Sequence, residues 1–226
     1  MTTSMFDAIA PGYDRLNHIL SLGMDKKWRR LITDFLPAGN ALKVLDLASG
    51  TAEIALVAGR EARVAHVTGI DIAESMLALG RVKIQQAGLS AKIELTAGDA
   101  MALPFPENAF DAVTVGFGVR NFSDLMKGLM EAWRVLKPGG RFIILELSSP
   151  SGWWRKAGHA FYVGRVVPCL GGLFSGRKAA YSYLSMTALA FPSGLRFERI
   201  IRQAGFTAVE RRELALGAVT IYIATR

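Results

Sequence analysis

Short apolar runs recur along this chain, each followed by a stretch with helical spacing. Lys43 to Glu53, KVLDLASGTAE, shows the unit best. Val44-Leu45-Asp46-Leu47 reads as a short, partly β-branched strand, small residues follow, and Glu53-Ile54-Ala55-Leu56-Val57 carries a helix. HVTGIDIAESML repeats the plan, with a strand to Ile70, an acid at Asp71 and then a helix. The same reading places strands near 42–47, 66–71, 91–96, 110–117 and 140–147, and helices near 53–61, 73–87 and 123–136. Alternation on this scale predicts a parallel sheet with helices on both faces. In LKPGGRFII, Pro138 ends a helix and Gly139-Gly140 turn the chain into a strand.

Two stretches break the alternation. Residues 4–36 read as helical with a break at Pro11-Gly12, and Pro37-Ala38-Gly39-Asn40 hands over to the first strand. Residues 149–192 form a long insertion without clear strand alternation, expected to be helical. After it, SGLRFERIIRQAGF predicts a helix ending at Gly205, then strands near 206–213 and 217–224. Their short connection, Ala215–Gly217, predicts an antiparallel hairpin at one sheet edge. The expected organisation is one α/β domain over 1–226: an arm (1–40), a core (41–148), the insertion (149–192) and a C-terminal helix and hairpin (193–226).

Composition narrows the class. At 51% hydrophobic and 20% charged residues, the 226-residue chain has ample material for a core. Single Cys169 excludes an internal disulfide and lacks the context of a nucleophile, which fits a reducing, cytoplasmic compartment. The first residues lack the pattern of a signal peptide, and no apolar run is long enough to span a bilayer. A net charge of +8 attracts anionic lipid or nucleic acid. The excess clusters at Lys26, Lys27, Arg29 and Arg30, over 155–178, and from Arg196 to Arg212. No basic–aromatic nucleic-acid module accompanies it.

A strand that turns tightly into a helix leaves backbone N–H groups free, and small residues let a ligand approach them. Asp46 can accept from a polar or cationic ligand group, and Asp71, ending the second strand, is placed for ribose hydroxyls. A dinucleotide fingerprint is not met, because Ala52 and Ala55 stand where G-x-G-x-x-G needs glycines. The pattern strand–Asp–small–Gly50–small–helix, then strand–Asp, is similar instead to the S-adenosylmethionine site of class I methyltransferases. A plain βα turn with a capping acid is the simpler reading of either half; the spaced pair favours the cofactor. The C-terminal hairpin after five βα steps is a further mark of that Rossmann-like fold, with a seven-stranded, mostly parallel sheet.

Other candidates are open to two readings each. Asp99-Ala100 follows the third strand, where methyltransferases commonly hold adenine, yet Asp99 also suits an Asx turn. Gly116 ends the fourth strand and leaves room beside a cofactor. Arg120-Asn121 follows at the ligand-binding edge of the sheet, although Asn121 could cap the next helix, a role Ser123 fits better. Tyr13, Asp14 and Asn17 are lid residues or a capping segment. In the insertion, Trp153, Trp154, Phe161 and Tyr162 mix with Arg155, Lys156, Arg165, Arg177 and Lys178. Such a segment lies on a membrane surface or caps the site. His18, His66 and His159 show no metal-ligand spacing and read as structural.

YDRLNHILSLGMDKKWRR resembles the N-terminal signature of the ubiquinone/menaquinone-biosynthesis C-methyltransferases, through Tyr13, Asp14, Asn17, Ser21, Gly23 and Trp28. VRNFSDLMKGLMEAWRVLKPGG resembles their second signature, and Tyr181-Ser182-Tyr183-Leu184 and Ala204-Gly205-Phe206 follow in order. The resemblance implies transfer of a methyl group from S-adenosylmethionine to a ring carbon of a polyprenylated quinol. Thr51, Asp71 and Asp99-Ala100 would bind the cofactor. Ala48, Ala52 and Glu53 depart from the family's commoner G-x-G loop and its Asp, and Gly116 stands where some relatives carry serine.

Ring oxygen polarisation falls to Arg120 and Asn121, while Tyr13 and Asn17 close over the ring; no metal is called for. Arg120 would stabilise an oxyanion or position a water, since a guanidinium is no ready base. Expected partners are the quinol, an anionic membrane surface at the periphery, and a second copy in a homodimer; nucleic acid is not expected. Rival readings are a methyltransferase for another prenylated phenol or lipid, and a catalytically silent lipid-binding subunit of a quinone-making assembly.

Overall fold

The computed structural model describes residues 10–169 and 178–226. The start of the expected helical arm, residues 4–9, and Arg177 lie outside them, as do the side chains of Lys178 and Tyr181. Seven strands form one sheet: β1 (Leu42–Leu47), β2 (Val64–Asp71), β3 (Ile93–Ala97), β4 (Phe110–Gly116), β5 (Leu136–Leu147), β6 (Ala208–Leu214) and β7 (Val219–Thr225). Their order is β3-β2-β1-β4-β5-β7-β6, with β7 antiparallel to β5 and to β6 and the other neighbours parallel. The order reverses between β1 and β4, which is where ligands bind in open α/β sheets.

Eight helices accompany it among the described residues: α1 (Tyr13–Leu20), α2 (Asp25–Asp34), α3 (Glu53–Arg60), α4 (Glu74–Gln86), α5 (Leu125–Val135), α6 (Trp153–Phe161), α7 (Lys178–Ala190) and α8 (Leu195–Gln203). Alternation along the strands divides the core between the sheet's faces. Val44, Ile143 and Ile221 pack with α2 and α3 through Trp28, Ile32 and Leu56. Leu45, Phe142 and Tyr222 pack with α5 and α8 through Leu129, Phe197 and Ile201. A smaller cluster joins Leu16 of α1, Met76 of α4 and Leu184 of α7. This cluster holds arm and insertion against the helix that follows β2.

Two boundaries differ from expectation. β5 begins at Leu136 rather than near 140, because Lys137–Gly140 bulge out between the pairs Phe110↔Leu136 and Ala112↔Arg141. α5 is capped by Asp124, whose side chain accepts the Lys127 N–H at 3.0 Å, and not by Ser123, whose hydroxyl lies 3.2 Å from Met101 Sδ. The insertion is helical, and α6 continues through a π turn over Tyr162–Val166.

Candidate active site

Two cavities meet above the C-terminal ends of β1, β2 and β4. The first is bordered by Gly50, Asp71, Asp99, Ala100, Gly116 and Asn121. The second, about 240 Å³, is bordered by Asn17, Asp25, Arg29, Arg120, His159, Tyr162 and Ser185 together with apolar groups. Tyr13 and Phe117 belong to both. The two side chains therefore stand where a group passing from one cavity to the other must cross.

The loop after β1 builds the first cavity from strained backbone. Ala48 and Ala52 adopt φ of +48° and +65°, the left-handed region that costs an L-residue with a Cβ roughly 1–2 kcal/mol. Gly118 accommodates the first alanine: a Cβ on Gly118 would lie 2.6 Å from Ala48 Cβ. Gly50, at φ +53°, would place a Cβ in open space, so the backbone around its N–H is uncrowded. That N–H donates to Asp71 Oδ2 at 2.8 Å, while Asp71 Oδ1 accepts from Ala73 N–H at 2.9 Å. The carboxylate is thus fixed at the cavity edge.

The two acids ending β1 and β2 have different positions. Asp46 is buried beneath the loop and borders neither cavity, which corrects its expected ligand role. Its Oδ1 accepts from Thr114 Oγ1 at 2.7 Å and its Oδ2 has no partner. Burial raises its pKa to about 7, against the Thr114 hydrogen bond, which lowers it. Asp46 stands inside β1, registered against Gly69 of β2 and Thr114 of β4, whereas Asp71 is the last residue of β2.

Thr51 is also turned away. Its hydroxyl donates to Asp14 Oδ1 at 2.6 Å, and Asp14 Oδ2 accepts from Lys83 Nζ, which also reaches Glu53 Oε1 at 2.6 Å. Thr51 and Asp14 therefore tie the arm to the loop, and Thr51 does not face the first cavity. Asp99 does border it, and its Oδ1 also accepts the Met101 N–H at 3.0 Å, an Asx turn at the cavity wall. Gly116 borders the cavity too, but the space beside its Cα is taken by Ile54, whose Cδ1 would lie 2.3 Å from an added Cβ. The missing side chain thus makes room for the core, not for the cofactor.

Arg120 and Asn121 point to different cavities. Asn121 borders the first, where its buried Oδ1 has no partner. Arg120 borders the second, and its guanidinium is paired with Glu146, which has no exposed surface. Its charge is thus already matched inside the protein. Its buried Nε–H remains without a partner and is a donor still to be satisfied.

A second buried pair, Arg29 with Asp25, faces the same cavity, and Asp25 also accepts from Ser21 Oγ at 3.0 Å and meets His18 Nδ1 at 2.8 Å. These bonds and Arg29 hold the Asp25 carboxyl below the usual carboxylate range despite burial. The Phe117 ring has the guanidinium carbons of Arg29 and Arg120 at 5.9 and 6.0 Å from its centre. Two neutralised pairs and one aromatic ring make this a weakly polar chamber without net charge, suited to a flat, uncharged ring.

Sequence reasoning missed Asp25, Glu146, Phe117 and Ser185, and read His159 as structural. A signal existed for Glu146: an acid inside the buried run Ile143-Ile144-Leu145-Glu146-Leu147 demands a partner. No comparable signal marks Ser185.

The donor that the sequence resemblance implies can be tested against the first cavity. S-adenosylmethionine carries ribose hydroxyls, an adenine amine and a charged amino-acid end. Asp71, Asp99, the open Gly50 backbone and the unpartnered Asn121 Oδ1 supply complementary acceptors and space, and they fit. Among the described residues no group of three His, Cys, Asp or Glu side chains could hold a metal ion.

Comparison with known proteins agrees with this reading. The chain is 45% identical over 222 residues to a demethylmenaquinone methyltransferase of Bacteroides fragilis, covering 98% of this chain and 91% of the relative. It is 42% identical over 219 residues to the ubiquinone/menaquinone biosynthesis C-methyltransferase UbiE of Geobacter sulfurreducens, covering 96% and 85%. Among solved structures, a Thermotoga maritima SAM-dependent methyltransferase shares the fold, with a TM-score of 0.69 at 16% identity over 98% of both chains. A model of the ubiE/COQ5 methyltransferase family matches residues 2–226, and the chain belongs to that family.

Proposed function

We propose that this protein transfers the methyl group of S-adenosylmethionine to a ring carbon of a polyprenylated quinol in quinone biosynthesis. The observation that carries the reading is the pair of cavities sharing Tyr13 and Phe117, one bordered by acids and open backbone, the other weakly polar. The names of the Bacteroides and Geobacter relatives support the substrate class.

In this reading Asp71, Asp99, Ala100, Gly50 and Asn121 hold the donor, which supplies an electrophilic methyl carbon on sulfur. Tyr13 and Asn17 lie over the quinol ring and exclude water from the crossing. Arg120 acts as a hydrogen-bond donor through its unpartnered Nε–H, with its charge held by Glu146. Holding both reactants in line is worth up to about 7–11 kcal/mol in favourable intramolecular reactions. The prenyl tail leaves the second cavity toward the insertion. There Trp153, Trp154 and Phe161 are 84%, 62% and 65% exposed, a face suited to the headgroup region of an anionic membrane.

The test is methyl transfer from labelled donor to short-chain quinols, comparing a demethylmenaquinol with a methoxy-benzoquinol lacking its ring methyl. Product from either ring, abolished together with calorimetric donor binding by Asp71→Ala, supports the proposal. Donor binding without transfer to either ring points to another prenylated phenol. No donor binding leaves a catalytically silent lipid-binding subunit.

A further inference from the structure

We propose that His159 is the proton acceptor for the ring hydroxyl of the substrate, and hence a catalytic residue. The inference rests on the quinol reading above and adds to it the group that ionises the ring.

A phenolic ring carbon is a poor nucleophile until its neighbouring oxygen loses a proton, and a phenol holds that proton until pH about 10. The second cavity must therefore contain a base. Its other ionisable groups are committed. Asp25 is bound by Arg29, Ser21 and His18. Glu146, behind Arg120, is taken up by that guanidinium and by the Leu147 N–H at 2.8 Å. Arg29 and Arg120 are cations. Tyr162 donates its hydroxyl to the Leu20 carbonyl at 2.7 Å, and burial pushes its pKa up. Tyr13 is a phenol itself and has no advantage as a base over the one it would deprotonate.

His159 differs from all of these. It borders the cavity and has no hydrogen bond or ion pair among the described residues. His159, Tyr162, Val163 and Val167 all border the chamber, at helical spacing along α6 and the π turn, while Trp153, Trp154 and Phe161 are exposed. π turns are frequent at functional sites. Half-burial holds the imidazole below its ordinary pKa of 6.5, so at neutral pH it is uncharged and has a lone pair to offer.

The step balances without any further reagent. The ring hydroxyl gives its proton to His159, and the ring carbon forms a bond to the methyl carbon while the electron pair of the broken S–C bond stays on sulfur. That ring carbon then loses its hydrogen as a proton to water, returning the electron pair to the ring. The imidazolium reprotonates the ring oxygen. One proton is released per methyl transferred, and His159 is restored.

The test compares wild type, His159→Gln and His159→Ala across pH 5–10. Wild-type kcat/KM should be flat above the His159 pKa and fall below it. His159→Gln should lose about 10²-fold at pH 7, within the usual range for a general base. Its rate should then climb tenfold per pH unit toward the ionisation of the free phenol. Imidazole added to His159→Ala should restore part of the rate, with donor binding and thermal midpoint unchanged in both variants. By NMR, the His159 ring resonances should move when a short-chain quinol is added without donor. A His159→Gln profile with the wild-type shape and rate overturns the inference while leaving the methyl transfer intact. If wild type transfers to neither ring, the proposed function fails, and unmoved His159 resonances then overturn this inference as well.

Discussion

Glu146, fully enclosed one residue before the end of β5, holds the guanidinium of Arg120 in the turn that follows β4. Removing one member of such a pair strands the other charge in a poorly solvated place. Glu146→Gln should lower unfolding free energy by about 3–5 kcal/mol in urea titrations. Replacing both, as Arg120→Leu with Glu146→Leu, should recover most of that loss. A double variant no more stable than the single one would show that the pair does not act as a unit.

Ala48 and Gly118 are coupled by contact. Gly118→Ala places its methyl 2.6 Å from Ala48 Cβ and should destabilise by about 1–3 kcal/mol, as overpacking does. Ala48→Gly removes the colliding atom and relieves a left-handed alanine, so it should rescue Gly118→Ala by at least about 1 kcal/mol. Thermal midpoints of the four proteins close the cycle.

Asp46 gives stability a pH slope. Its pKa rises from 3.8 to about 7 on folding, so between those values the folded state binds the extra proton. Stability from this group is therefore greatest below pH 3.8, falls by about 1.4 kcal/mol per unit as pH rises, and levels off above 7. Asp46→Asn should lack this component when chemical denaturation is followed at pH 4, 5.5, 7 and 8.

Ser185 is buried with its hydroxyl unpartnered at the wall of the second cavity. A ring oxygen is a fitting acceptor. Ser185→Ala should raise the quinol KM about 3–10-fold, the worth of one neutral hydrogen bond, and leave the pH profile unchanged. A shift in that profile would assign Ser185 to proton transfer instead.

The exposed aromatic face of α6 makes a separate prediction. Trp153→Ala with Trp154→Ala should reduce co-sedimentation with anionic vesicles and spare activity on a short-chain, water-soluble quinol. Equal sedimentation of both proteins would remove this face from any membrane contact. No helix among the described residues is long and apolar enough to cross a bilayer.

Much of the fold was legible because strand runs and helical spacing alternate without ambiguity from Leu42 to Leu147. The place of Asp71 at a strand end before a helix was legible too. Asp46 looks similar in one dimension, but it stands one residue inside β1, before Leu47, whereas Asp71 is the last residue of β2. The second cavity was hardest to foresee. Its wall joins Arg29, Arg120 and His159 from three distant segments, and only packing of the arm and insertion over the sheet brings them together. The left-handed torsions of Ala48 and Ala52 were invisible for a related reason: alanine does not advertise a positive φ as glycine does.

The division of labour around the second cavity has a consequence for how such a chain can diversify. Asn17 and Arg29 come from the arm, and His159 and Ser185 from the insertion, while Asp71 and Asp99 belong to the alternating core. Much of the acceptor chamber is thus written outside the alternating core, which adds Phe117 and Arg120 to it. Exchanging arm and insertion together between relatives should transplant preference for a ring while leaving the sheet and its donor untouched. Exchanging either alone should leave half a chamber that recognises neither ring well.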